Sequence, residues 1–364
     1  MTRENSTSQL ASGIVTLQDI ADRCGISKAA ARWAVMSDDD THVSKQTRER
    51  VRKVAKELGY NPAANQAARR LAYRKAGKAP LSYLIGLIVH DHITANDQYF
   101  NPLLLGALEV LEAERFGGMV MSSSAFNPSV PDVHLPMVIE HGEVDGAIIY
   151  GSFSTMVEQL RSCPQFADRP IVSLISPLPG CSQVVSDDYS GGYALMKHLL
   201  ELGHRKIGHF FNLAGTPHQL RGNGARQACL DAGVNPDDCL HHLDYNKFCK
   251  TIDEEIEIIK NEKKITAIVA RQDLMASLIY QALQRADMRV PEDISLVGYD
   301  DSIPIVDTSG NNFLTTIHVP LVEVGRQAIA LLLRHLHDNT LPIETVSLPV
   351  ELVVRKSTCT PSQA

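Results

Sequence analysis

Side chains that could read DNA bases are concentrated in one short segment near the N-terminus. Lys28 and Arg32 carry positive charges that can bind guanine edges or phosphates, and Trp33 can contact a thymine methyl group. On a helix over residues 28–36, these side chains and Ala29 share one face. The segment therefore predicts a helix that docks in a major groove. For Trp33, the only tryptophan, burial beneath the helices is an equally good interpretation.

Three short helices are expected to position that segment. Thr16 can cap the first and Gly25 can end it in a left-handed conformation, while Ser27 can cap the second. The third follows Ser44 and ends at Gly59. A tight turn between the first two makes a helix-turn-helix, with a pair of ordinary surface helices as the alternative. The apolar positions with helical spacing are Leu17, Ile20, Ala21 and Cys24, then Ala31, Ala34 and Val35, then Val51, Val54, Ala55 and Leu58.

The charge of the chain is divided between its two parts. Its 364 residues suggest two or three compact units, and the formal net charge is −7. Residues 1–78 hold 15 Lys and Arg against 8 Asp and Glu, whereas the rest holds 20 against 34. The N-terminal part alone has the balance of a polyanion binder.

Cysteine usage and hydropathy exclude several classes of protein. The seven cysteines are scattered without a C-x-x-C pair, which predicts reduced thiols and neither a disulfide framework nor a zinc site. Residues 239–249 contain metal-ligand types, but their spacing matches no structural zinc pattern. With no signal core and no run of about 18 apolar residues, we expect a cytoplasmic protein without a membrane partner. We predict no cofactor and no metal.

Short apolar runs alternate with helical patterns from residue 83 onward. Runs of this kind are typical of strands buried on both faces, so they predict parallel sheets covered by helices. The length favours two sheets, with a ligand in the cleft between them or at the carboxyl ends of their strands. A single enzyme domain is the alternative, although no nucleophile elbow, phosphate loop or H-E-x-x-H is present. The runs are 83–89, 118–121, 146–150, 170–175, 206–211, 265–270 and 294–299.

Several of these segments, in this order, resemble the LacI/GalR family of transcriptional repressors. The resemblance extends from about Val15 to Thr358. It implies a small all-α headpiece followed by an α/β core of two similar subdomains with parallel sheets, like periplasmic binding proteins of type I. The segments that carry it are 15–21 (VTLQDIA), 47–51 (TRERV), 58–62 (LGYNP), 202–207 (LGHRKI), 290–301 (VPEDISLVGYDD) and 314–317 (LTTI).

The resemblance also implies domain boundaries. We expect a disordered tail at 1–14, a helix-turn-helix domain at 15–62 and a hinge helix or linker at 63–80. The first core subdomain would comprise 81–186 and 319–342, and the second 187–318 and 343–358, followed by a tail at 359–364.

In such proteins the hinge places a leucine in the minor groove of the operator, where an apolar wedge kinks the duplex. Leu71 is the candidate here, but the family spacing from the proline is two residues shorter, so a helix-packing leucine is the alternative. The recognition helix also departs from the family, with Ala30–Trp33 replacing Thr-Val-Ser-Arg and a longer acidic loop at 37–42. The operator sequence is therefore not predicted. The DNA-contacting residues that we expect are Thr16, Ser27, Lys28, Ala29, Arg32, Trp33, Asn61, Arg69 and Leu71.

An effector site between the core subdomains is the second implication. Arg221 matches an arginine that binds hydroxyl or carboxylate groups, and Asp300 matches an aspartate that accepts two sugar hydroxyls. Gln272 replaces the usual asparagine. The remaining residues that the resemblance places at the site are His90, Asp91 and Phe100.

For His90 and Asp91, an ordinary loop at the end of a strand is the alternative. The function implied is a repressor that binds a pseudo-palindromic operator as a homodimer or dimer of dimers. Its effector would be a mono- or disaccharide, with nucleosides and phosphorylated sugars compatible. The rival functions are a sugar-binding protein without a DNA function, an enzyme, and an activator or corepressor-dependent regulator of the same fold.

Overall fold

The computed structural model describes the headpiece and the core as two units, Met1–Leu81 and Ser82–Ala364. The predicted tail at 1–14 and the hinge lie outside the described residues, as do Asn61, Arg69, Leu71, His90 and Asp91. The described residues are 15–36, 43–60, 81–89, 97–122, 135–151, 156–211, 217–244, 248, 251–259, 261, 264–307 and 309–361.

The headpiece contains the three predicted helices, α1 at Leu17–Cys24, α2 at Lys28–Met36 and α3 at Lys45–Glu57. Thr16 caps α1 reciprocally, since its hydroxyl accepts the Asp19 N–H while the Asp19 carboxylate accepts the Thr16 N–H. Gly25 ends α1 with φ = 62°, and the Ser27 hydroxyl accepts the Ala30 N–H. The helix-turn-helix prediction is confirmed. The buried apolar core of the headpiece consists of Ile20, Ala21, Ala31, Ala34, Val43, Val51 and Ala55.

The first sheet of the core is parallel, in the order β11-β5-β4-β3-β1-β2. The strand order reverses beside β1, which makes the carboxyl end of that strand the natural ligand crevice of a doubly wound sheet. Its strands are β1 Leu84–Val89, β2 Gly117–Ser122, β3 Gly146–Tyr150, β4 Ile171–Leu174, β5 Ser182–Ser186 and β11 Thr345–Leu348.

A second parallel sheet has the order β7-β6-β8-β9. An antiparallel pair, β10 with β12, accompanies it. The strands are β6 Ile207–His209, β7 Leu240–His242, β8 Ala267–Val269, β9 Ser295–Val297, β10 Thr316–His318 and β12 Glu351–Val353.

Helices connect these strands, as expected for α/β architecture. No helix in the ranges that the structure describes is long and apolar enough to cross a membrane. The core helices are α4 Phe100–Ala113, α5 Met137–Glu140, α6 Met156–Ser162, α7 Asp188–Glu201, α8 Pro217–Asp231, α9 Pro236–Cys239, α10 Ile252–Ile258, α11 Asp273–Arg285 and α12 Leu321–His337.

Two of the predicted boundaries differ from the structure. β11 pairs with β5 of the first sheet, so the second subdomain does not resume at residue 343 but only at β12. Cys359, which we placed in a tail, is bound to the core, because its N–H donates to Ser295 Oγ and its carbonyl lies 2.9 Å from His204 Nε2.

The close packing of α7 against α8 depends on a glycine. A Cβ atom at Gly192 would overlap the backbone atoms of Arg221, and interiors packed at crystal-like density cannot absorb such an overlap without moving the backbone. The absence of a side chain at Gly192 therefore allows the α8 backbone at Arg221 to lie this close to α7.

We expect Gly192→Ala to lower the free energy of core unfolding by about 1–3 kcal/mol or more, as overpacking does. Urea denaturation followed by circular dichroism measures this loss. Ser190→Ala, an exposed change on the same helix, is the control and should stay within about 0.5 kcal/mol of the wild type. Equal stabilities for the two variants would contradict the close approach.

Candidate effector site and DNA-binding surface

Arg221, on α8, is the centre of a buried polar cluster. Its Nε donates to Asp188 Oδ1 at 2.7 Å, and its Nη2 lies 3.9 Å from Asp300 Oδ1. Asp188 begins α7 two residues after the end of β5, and Asp300 lies three residues after the end of β9. The cluster therefore joins α8 to segments that follow the carboxyl ends of two strands. The side chains are 4%, 1% and 7% exposed, respectively. The structure thus brings together Arg221 and Asp300, which the sequence predicted, and adds Asp188.

The guanidinium group of Arg221 is fixed by two further contacts. Its Nη1 donates to the carbonyl oxygen of Arg271 at 2.7 Å. Its Cζ lies 3.4 Å from the centroid of the Tyr299 ring, which places the cation over the ring face. Because its Nε and Nη1 are held in this way, the planar guanidinium of Arg221 can present its remaining N–H groups in one orientation only.

The cluster is balanced in charge. Burial works against the charge of Arg221, but Asp188, with smaller contributions from Tyr299 and Asp300, raises its pKa. Burial raises the pKa of Asp300 well above its usual range, and Arg221 opposes that rise. Asp300 also has φ = 103°, a conformation that side chains rarely adopt and that its surroundings must impose. One guanidinium therefore lies beside the Asp188 side chain and near that of Asp300, whose charged form is disfavoured by burial.

Asp273 supports Asp300 from the start of α11. It is 1% exposed, and its two oxygens accept the Thr316 hydroxyl at 2.7 Å and the Ser302 N–H at 2.8 Å. Burial raises its pKa to about 6. Since Ser302 lies two residues beyond Asp300, these bonds hold the loop that carries Asp300.

Gln272 and Phe100 are placed less directly. Gln272 is the N-cap residue of α11, and no hydrogen bond to its side chain is found among the described residues. Phe100 is 6% exposed, with its ring 5.3 Å from that of Tyr150. Tyr99 is the partly exposed aromatic residue here, and burial together with the charge of Asp300 raises its pKa. Contact of Gln272 and Phe100 with an effector stays a prediction.

Sequence reasoning missed three members of this region, Asp188, Tyr99 and Tyr299. Asp188 was missed because the strand before it, β5, is short and half polar. Tyr299 lies within a predicted strand end, where it was read only as part of a motif. Within the described residues, no group of three or more His, Cys, Asp or Glu side chains is placed to hold a metal ion.

The side of α2 that we predicted to contact DNA is exposed. Lys28, Ala29, Arg32 and Trp33 are all exposed, whereas Ala31 and Ala34 are fully buried against α1 and α3. Trp33 is 45% exposed, so its interpretation as a buried core residue is wrong. The Thr16 hydroxyl is engaged in the cap of α1, where it bonds to the Asp19 carboxylate and accepts the Asp19 N–H.

One partly buried histidine near the cluster, His218, predicts a pH dependence of stability. Burial, followed by the charges of Arg221 and Arg271, lowers the pKa of His218 to about 3. The unfolded chain, with a histidine pKa near 6.5, takes up the proton first, so stability is lost as the pH falls from about 6.5 towards the folded value. Asp273 contributes a pH dependence of the opposite sign. Because its pKa is raised in the folded protein, stability falls as the pH rises towards about 6.

When the pH is lowered from 7.5 to 5.0, we therefore expect the free energy of unfolding of His218→Gln to rise by about 1–2 kcal/mol relative to that of the wild type. Asp273→Asn should lose stability relative to the wild type over the same interval. Chemical denaturation of the three proteins at both pH values gives the comparison. Parallel pH dependences for all three would show that neither group titrates differently on folding.

Comparison with known proteins agrees with this architecture. The sequence matches the family described as "Bacterial regulatory proteins, lacI family" over residues 16–63 and a "Periplasmic binding protein-like domain" over residues 196–358. It is 29% identical to the HTH-type transcriptional repressor PurR of Haemophilus influenzae, covering 94% of this chain and 98% of that protein. It is 27% identical to the HTH-type transcriptional regulator CelR of Thermobifida fusca, with the same coverage.

Solved structures are similar over the same range. A LacI family transcriptional regulator from Enterococcus faecium, crystallised with bound ribose, aligns with a TM-score of 0.63 at 26% identity, over 77% of this chain and 100% of that one. The lac repressor dimer bound to operator and the anti-inducer ONPF aligns with a TM-score of 0.68 at 24% identity, over 95% of this chain and 100% of that one, and shows the shared fold. The chain therefore joins a helix-turn-helix domain of the lacI family of bacterial regulatory proteins to a periplasmic-binding-protein-like domain, and its relatives over 94% of its length are transcriptional regulators.

Proposed function

We propose that this protein is a transcriptional regulator, acting as a repressor, whose affinity for operator DNA is controlled by a small molecule bound in the core. The observation that carries the proposal is the Arg221 cluster, a buried and oriented donor at the carboxyl ends of strands, in a chain that also holds an exposed basic recognition helix. Effector binding would shift the population between two arrangements of the core and so change the affinity for DNA.

The effector that suits this site is a neutral sugar. Asp188 already neutralises Arg221 at 2.7 Å, so a phosphorylated or acidic ligand would meet a carboxylate without gaining an unpaired cation. Hydroxyl groups, which both donate and accept, can bond to Arg221 and to Asp300 at the same time. The solved regulator from Enterococcus faecium with bound ribose supports this class of effector. His90, Asp91, Phe100 and Gln272 remain proposed contacts.

The DNA contacts that we propose in the described region are made by Lys28, Ala29, Arg32 and Trp33. Regulators named repressors among the relatives, such as PurR, support negative control. We also propose a cytoplasmic location and no catalytic role. Among the described residues of the site, a donor and acceptors are present but no nucleophile lies beside a base.

A homodimer is the assembly that we propose. Exposed leucines on one helix of each core sheet support it, because contiguous exposed apolar side chains mark association surfaces. These are Leu105 and Leu108 on α4 and Leu274 and Leu278 on α11, between 44% and 53% exposed. Two headpieces would then read the two halves of a pseudo-palindrome.

A thermal-shift comparison tests the effector class. Mono- and disaccharides should include at least one that raises the unfolding midpoint of the wild type, because a ligand that binds only the folded state stabilises it by mass action. The 6-phosphate of an active sugar should shift the midpoint less than the parent sugar. A larger shift with the phosphorylated form would contradict the proposed neutral effector.

A further inference from the structure

A polar cavity lies at the opposite end of β5 from the Arg221 cluster. It has a volume of about 270 Å³ and is lined by residues where β4 and β5 begin. Ser182, the first residue of β5, lines this cavity, whereas Asp188 follows the last. The cavity is therefore a separate site within the core.

Arg161, on α6, supplies a partly buried cation to this cavity. Its Nη1 donates to the carbonyl oxygens of Ala167 and Arg169 at 2.8 and 2.6 Å. Within the described part of the chain, no carboxylate oxygen lies within 4 Å of its guanidinium nitrogens; Asp168, which also lines the cavity, is exposed. Burial lowers the pKa of Arg161, which reports the cost of holding this charge away from water. A cation held beside a cavity without a close carboxylate favours an anion there.

Further donors line the same cavity. Arg169, 15% exposed, lies 3.4 Å from Asp145 Oδ1, a long contact that only partly satisfies its charge. Ser182 Oγ is 2.9 Å from His335 Nε2, so a hydroxyl and an imidazole also line the cavity. Guanidinium forks with a neighbouring hydroxyl are the groups that proteins use for planar and tetrahedral oxyanions.

We propose that this cavity binds a small oxyanion, the phosphate or carboxylate group of a metabolite, with Arg161 as the principal donor and Arg169 and Ser182 as further contacts. Its volume admits a small metabolite and not a protein segment.

A ligand in this cavity would lie near the contacts that hold the first residues of the core. Asp145 is fully buried, and its oxygens accept the N–H groups of Ser82 and Tyr83 at 2.7–2.9 Å while one of them faces Arg169. An anion that draws on Arg169 therefore acts on the carboxylate that holds residues 82 and 83. These are the residues at which the chain, coming from the headpiece, enters the core.

Isothermal titration of the full chain with inorganic phosphate and with citrate, at constant ionic strength, tests the proposal. At least one of the two anions should bind with a dissociation constant below about 10 mM. Binding of phosphate or of citrate shows whether the cavity takes a phosphate or a carboxylate group. Arg161→Gln should weaken that binding about tenfold or more, as loss of a charged hydrogen bond does. Arg289→Gln, an exposed arginine paired with Asp293, is the matched control and should bind like the wild type.

A second variant covers the case in which Arg161→Gln fails to fold. Ile343 lines the cavity and is 63% exposed, so Ile343→Glu removes no buried contact while placing a negative charge beside the cavity. It should weaken anion binding, and Ile343→Lys should strengthen it. Absence of binding to the wild type, or binding that neither Arg161→Gln nor Ile343→Glu changes, would overturn the proposal. Neither DNA nor the sugar effector enters the experiment, so its outcome is independent of the proposed function.

Discussion

Replacing Arg221 with alanine is expected to abolish the response to effector and to lower the free energy of core unfolding by about 3–5 kcal/mol, as removal of one partner of a buried ion pair does. Asp188, with a side chain 1% exposed, would be left as a buried carboxylate without its cation. The headpiece is a separate unit, so operator binding by the folded fraction should be retained. Urea denaturation and effector titration measure the two losses.

Two control variants separate binding from stability. Arg221→Lys keeps a cation beside Asp188 but loses the planar fork that reaches both Asp188 and the Arg271 carbonyl, so effector affinity should fall more than stability does. Arg226→Ala, on the same helix, removes an ion pair whose side chains are 51% and 75% exposed, and should cost less than about 1 kcal/mol. A normal effector response in Arg221→Ala would refute the assignment of the site.

The second large effect is expected at Arg32. If this exposed side chain reads a base edge, Arg32→Ala should weaken operator binding by about 1–3 kcal/mol while changing binding to unrelated DNA much less. Fluorescence anisotropy with both duplexes, at several salt concentrations, measures the two affinities.

Equal losses on the two DNAs would instead mark Arg32 as a phosphate contact, because such contacts carry no sequence information. Trp33→Ala is the companion variant. Its ring is 45% exposed, so the stability of the headpiece should change little while operator affinity falls. A severe loss of headpiece stability would contradict the exposed position of Trp33.

The local elements could be predicted because their causes are local. Thr16, Gly25 and Ser27 act on their own helices through caps and a left-handed turn, and the structure places them accordingly. Each of the seven predicted apolar runs overlaps a strand. The strands that were missed are short and largely polar or half-exposed, such as β7 and β11, and they form because a neighbouring strand offers hydrogen bonds. The misplaced boundary at 343 has the same cause.

The candidate site was predictable only as far as its motif residues. Arg221 and Asp300 were identified, and they do meet. Asp188 lies 33 positions from Arg221 and follows a strand that the hydropathy pattern did not indicate, so only the fold reveals it as the partner that sets the charge of the site. The exposure of Trp33 likewise depends on three helices packing together, which the sequence of one helix does not determine.

Reciprocal linkage between operator and effector tests the central claim most directly. Once the thermal-shift screen has identified an active sugar, its dissociation constant should be measured by isothermal titration with the free protein and with the protein saturated by operator DNA. For a repressor released by its effector, the sugar should bind the DNA complex more weakly, and by the same factor by which it weakens operator binding. Identical sugar affinities in the two titrations would contradict the account.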